Sequence, residues 1–170
     1  MYLREALRWC RDLEEEAGHI YEELAAQHGH DAELSRHWQV LAADERKHAR
    51  IMAAALAAED VHEDDGPFVV DVRPRLDRLK RILDRAYKQV RTGTSAAAAA
   101  ELTAFIEGTE LDDVFAELVE LSRPSVLRLL GVIEKDAAGV ADPHRSHVAA
   151  LLRTAAERRS DAAQQSARRA

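Results

Sequence analysis

Apolar residues recur at steps of three and four through the first sixty positions, and one polar interruption divides the pattern into two long helices. Leu3, Leu7, Cys10, Leu13, Ala17, Ile20 and Leu24 form one face of a helix predicted over about residues 2–28. The HGHD stretch ends it: Gly29 supplies the break and Asp31 can cap the next helix. That second helix is predicted to run to about residue 59, with Trp38, Leu41, Glu45, His48, Met52 and Leu56 along one face. A connection this short makes the two helices an antiparallel pair.

The rest of the chain repeats the theme with more breaks. Residues 60–73, DVHEDDGPFVVDVR, read as a polar link with a small apolar patch at Phe68, Val69 and Val70. A third helix over about 74–91 carries only a narrow stripe, Leu76, Leu79, Leu83, Ala86 and Val90, among many arginines and lysines, so it should cover the bundle from outside. Gly93 breaks the chain, and Thr94 or Ser95 caps a fourth helix reaching about residue 121, with Ala100, Ala104, Glu107, Leu111, Val114 and Leu118 facing in. Pro124 opens a fifth segment with Val126, Leu130, Ile133 and Ala137 inward and Glu134 at the edge of that face. The AGVADP stretch interrupts it, and Asp142 and Pro143 read as N-cap and first residue of a last helix carrying His144, His147, Val148, Leu151 and Ala155. Residues 1–157 therefore read as one helical bundle, and 158–170 as a polar tail without periodicity that frays.

Composition agrees with an all-α chain. Of 170 residues, 46% are hydrophobic but only 5% aromatic, so close helix packing on alanine and leucine is expected. The formal charge of −7 argues against a nucleic-acid or anionic-lipid partner. No apolar run approaches the roughly 20 residues of a membrane span, which with a charged N-terminus points to a cytoplasmic protein. A single cysteine, Cys10, leaves no disulfide and no paired-cysteine metal knuckle, and its place on the core stripe makes it a small packed hydrophobe.

Chemistry enters where polar residues interrupt apolar stripes. Glu45 and His48, three residues apart in DERKHARIM, share the inner face of the second helix, where burial without a partner is costly. Glu14 lies at the edge of the buried stripe of the first helix, and it precedes the turn by about as many residues as Glu45 follows it. The three side chains should converge at one height. Two carboxylates and an imidazole suit iron or manganese and can also hold zinc. A Glu-x-x-His pair alone is common on helices without a metal; the apolar layer and the facing Glu14 are what point to one. Tyr21, seven residues after Glu14, can hydrogen-bond a ligand from the next layer. Trp38 and Met52 read as core, whereas His19, His28, His30, His37 and His62 read as solvated.

The order Glu14, Tyr21 and then Glu45-x-x-His48 within ADERKHA resembles the rubrerythrin branch of the ferritin-like superfamily, over residues 1–60. The resemblance implies a ferritin-like antiparallel four-helix bundle with an additional crossover helix and a broken last helix. It also implies a carboxylate-bridged di-iron centre that oxidises Fe(II) or reduces oxygen or peroxide. The family pattern asks for a second Glu and a second Glu-x-x-His. Glu107, or with less support Glu110, stands for the Glu, while the final pair reads His144-x-x-His147; VADPHRSHV echoes LAADERKHA when His147 is laid on His48. Pro143 and the AGVADP break put those histidines near a helix start, which makes Glu134 the nearer substitute ligand. With no rubredoxin module, a peroxidase would need an external electron donor, and a ferroxidase would need none. The competing reading is a non-catalytic ferritin-like scaffold for assembly, metal sensing or partner binding. On either reading, the third helix and the PFVV patch can support a homodimer.

Overall fold

A computed structural model of the chain describes residues 1–59, 69 and 71–130, the side chains of 59 and 124–130 excepted. Five helices account for nearly all of these residues: α1 (Leu3–Gln27), α2 (Ala32–Glu59), α3 (Val72–Arg91), α4 (Ala96–Glu107) and α5 (Leu111–Leu130). The expected last helix, the AGVADP break, the tail and Phe68 and Val70 of the PFVV patch lie outside the described residues. No described helix is long and apolar enough to cross a membrane.

The first two stripes are core without exception. Leu3, Leu7, Cys10, Leu13, Ala17, Ile20 and Leu24 of α1 are buried, as are Trp38, Leu41, Glu45, His48, Met52 and Leu56 of α2. Asp31 accepts the Leu34 N–H at 3.3 Å, a cap that satisfies one of the orphan donors of α2. The pairing is antiparallel: Ser35 Oγ donates to Ala25 O at 2.9 Å, and a Cβ at Gly18 would lie 3.4 Å from Glu45 Cβ, so residue numbers fall on α1 as they rise on α2. Gly18 thus packs directly beside Glu45.

The third helix runs the other way from α2. Glu5 pairs with Arg73 at 3.1 Å, Glu16 with Lys80 at 3.0 Å, and Gln27 Nε2 donates to Val90 O at 2.8 Å, so α3 lies parallel to α1. Its start is held by paired backbone bonds between Met1 and Val69, the latter buried. The stripe Leu76, Leu79, Leu83, Ala86 and Val90 is buried and the basic residues between point outward, as the pattern requires of a covering helix. It begins two residues earlier than its proline suggested. Asp71 takes a left-handed conformation (φ 61°) and turns the chain into Val72, leaving Pro74 in the first turn, where a missing N–H costs nothing.

The largest correction concerns residues 94–130. Ser95 Oγ accepts the Ala98 N–H at 3.3 Å as expected, but the fourth helix stops at Gly108 instead of continuing to 121. Gly108 and Thr109 bond back to Ala104 O and Ile106 O, and a new helix starts at Leu111. Conversely, Pro124 opens no new segment, and α5 passes through it to Leu130. Proline removes one N–H, whereas the preceding turns are anchored by buried Val114, Phe115, Leu118 and Val119. The break also shifts the inner face: Ala99, Ala100, Thr103 and Ile106 are buried, while Ala104 and Glu107 sit only half-buried at its edge.

Trp38 Nε1 donates to Thr103 Oγ1 at 2.9 Å, and the His48 ring stacks on Phe115 with centroids 4.4 Å apart. Residue numbers therefore rise together on α2 and on α4–α5, which makes these parallel. The helix α3 thus returns the chain along α1 before α4–α5 runs back beside α2.

Candidate metal centre

Midway along the α1–α2 pair, Glu14, Glu45 and His48 point into the layer between the helices, and each is at most 2% exposed. His48 Nδ1 lies 3.2 Å from Glu45 Oε2 and 3.5 Å from Glu14 Oε2. One ligand-type atom from each residue lies within 4.8 Å of the other two. The helical repeat and the turn set these three at one height, and the structure brings them together.

Burial governs the charge of this cluster. Desolvation pushes the Glu14 carboxyl up to about 8, with the neighbouring Glu45 carboxyl opposing the rise and the charges of Asp112 and Glu107 adding to it. Glu45 is held well above the ordinary carboxylate range, first by burial and then by the Glu14 charge. Cys10 lies one turn before Glu14, its Sγ 3.8 Å from Glu14 Oε1, and burial followed by the Glu14 charge raises its thiol. Tyr21, fully buried, donates its hydroxyl to Glu107 Oε1; burial and the Glu107 charge push the phenol up.

A divalent cation fits this donor set. The atoms Glu14 Oε2 and Glu45 Oε2 are sealed from solvent and outside direct donor geometry, and one imidazole proton at Nδ1 could serve only one of them. Ligand atoms about 2.0–2.2 Å from a first-row ion stand roughly 3–4 Å apart, the range spanned by the two His48 distances. A cation would also remove the like-charge repulsion between the two carboxylates. The nitrogen and oxygen donors match iron, manganese or zinc.

The other expected site residues divide sharply. Glu107 is near the centre but one layer along, at the level of Tyr21, which takes one of its oxygens. Glu110 is elsewhere: it faces α3, pairs with Arg75 at 3.0 Å and with Arg78, and those arginines hold its carboxyl low, the Arg78 bond being the larger cause. It follows the α4–α5 break and is engaged by α3, apart from the Glu14, Glu45 and His48 group. Glu134, His144 and His147 lie outside the described residues. His28, read as solvated, is instead buried against Trp38, ring centroids 5.0 Å apart.

Two residues near the centre escaped sequence analysis. Asp112, half-buried in the first turn of α5, contributes charge to Glu14, Cys10 and Tyr21, and Phe115, one turn on, covers the His48 ring. The available signal was the GTE stretch after Glu107: glycine closes a helix, and Thr109 Oγ1 accepts the Leu111 N–H at 3.4 Å to open another. Comparison of the chain with protein-family models, curated proteins and solved structures gave no match.

Proposed function

We propose that this chain is a ferritin-like metal-binding protein whose Glu14, Glu45 and His48 hold iron, with manganese or zinc as the other ions the donors suit. The convergence of three buried ligand-type side chains from two helices carries the reading. The direction of the chain accords with it, since α3 can take the place of the crossover helix between α2 and a parallel α4–α5 in such a bundle. Bound iron would supply electron transfer to oxygen or peroxide, and the proposed activity is Fe(II) oxidation or peroxide reduction, the latter with an external electron donor.

The chain's own residues set the conditions for this chemistry. Glu14 and Glu45 must give up protons to bind a cation, so binding releases protons and strengthens as pH rises. Phe115 and the surrounding leucines exclude bulk water from His48. Tyr21 and Glu107 form a proton-holding pair next to the donors.

A second reading is favoured by the raised Glu14 and Glu45 carboxyls: a buried carboxyl that keeps its proton can donate it to a neighbour, so the pair can satisfy His48 and each other in a non-catalytic scaffold. Anaerobic titration of metal-free protein with Fe(II), followed by air or peroxide, separates the two. Tight iron binding and an oxidation signal, both lost in Glu45→Gln with helicity kept, are expected. Absence of binding overturns the metal reading, and a more stable Glu45→Gln would then favour the scaffold.

A further inference from the structure

The two oxygens of Glu14 face different neighbours. Oε2 lies 3.5 Å from His48 Nδ1, while Oε1 lies 3.8 Å from Cys10 Sγ, one turn earlier on the same helix. Cys10, Glu14 and Ala17 are all 0% exposed, so the thiol meets the carboxylate in a layer closed to solvent. The donor atoms that lie within 4.8 Å of one another come from Glu14, Glu45 and His48, and Cys10 Sγ is outside that group. The sulfur therefore touches a ligand without joining the ligand set.

We propose that Cys10 is a positioning residue of the metal centre: its S–H bonds Oε1 of Glu14 and so presents Oε2, as a single-atom donor, toward Glu45 and His48. A buried carboxylate without such a bond can rotate about its last torsion or engage a cation through both oxygens, and either change alters the geometry of the site. The i, i+4 spacing on α1 makes the contact possible, because Cβ vectors tilt toward the helix N-terminus and bring the Glu14 side chain back over Cys10. A thiol here thus does what a serine hydroxyl could do, while also filling apolar volume in the α1 stripe.

This inference rests on the metal reading, and Co(II) serves as the probe for both. Wild type, Cys10→Ala, Cys10→Ser and Glu45→Gln are titrated with Co(II) by calorimetry and visible absorption. Cys10→Ala is expected to weaken Co(II) binding about tenfold or more, and Cys10→Ser to stay within about threefold of wild type. Both variants lose the sulfur's packing, so a merely structural role would weaken them alike; equal loss in Ser and Ala overturns the proposal. So does a Cys10→Ala affinity equal to wild type, or a strong sulfur-to-cobalt charge-transfer band, which would make the thiol a ligand. If wild type and Glu45→Gln both fail to bind Co(II), the metal reading falls and this inference with it. A metal-independent measurement tests the bond itself: the infrared S–H stretch of the metal-free protein should lie lower in wild type than in Glu14→Ala, and an unmoved band overturns it.

Discussion

Tyr21 donates its buried hydroxyl to Glu107, tying the middle of α1 to the last turn of α4 immediately before the chain breaks at Gly108. The bond joins residues 86 positions apart and links α1 directly to the carboxylate of the following segment. Tyr21→Phe should therefore destabilise the metal-free protein by about 1–2 kcal/mol, read from the urea midpoint. Glu107→Gln, which keeps an acceptor, should cost less. Equal stability of Tyr21→Phe and wild type would mean the bond contributes nothing.

Stability of the metal-free protein should fall as pH rises toward 8. Glu14 in the folded state keeps its proton until about pH 8, whereas the unfolded chain loses it near the ordinary carboxylate value of 4.5. Between those values the folded state binds more protons, so its contribution is fully present below the lower value and is lost on the way up to the higher. Glu45, raised in the same direction, adds to the trend. The combined loss is on the order of a few kcal/mol, and urea denaturation in chelator from pH 5 to 9 should record it. Glu14→Gln should flatten the profile; an unchanged slope would remove Glu14 as its source.

The indole of Trp38 donates to Thr103 Oγ1, which in turn donates to Ala99 O at 2.9 Å. Thr103→Val preserves shape but leaves the fully buried indole N–H without its acceptor, a loss of about 1–3 kcal/mol. The accompanying change in tryptophan fluorescence should appear in the native state. Thr103→Ser, which keeps the acceptor, should recover most of the stability.

Glu110 should be dispensable to metal binding. Its partners are Arg75 and Arg78 on α3, partly exposed pairs worth at most about 1 kcal/mol each. Glu110→Gln is expected to leave metal stoichiometry unchanged and to lower stability slightly, the effect shrinking in high salt. Reduced stoichiometry would return Glu110 to the ligand set.

Much of this protein was legible in its sequence because helical periodicity and a short turn are local properties. Steps of three and four assigned the inner faces of α1, α2 and α3, and the turn at residues 28–31 then placed Glu14 opposite Glu45 and His48, as observed. The later segment defeated the same reasoning, since a periodic pattern continued through Gly108 looks unbroken, and the short interruption there changes which residues face inward. Pro124 carried the opposite signal, a break that the anchored turns of α5 override. Only the tertiary structure decided that Glu110 belongs to arginines of α3, that Glu107 meets the Tyr21 hydroxyl, and that the Cys10 sulfur lies against Glu14 Oε1. Each of those outcomes depends on a side chain's neighbour across space, and the pattern along the chain supplies the face a residue occupies but not the group it meets there.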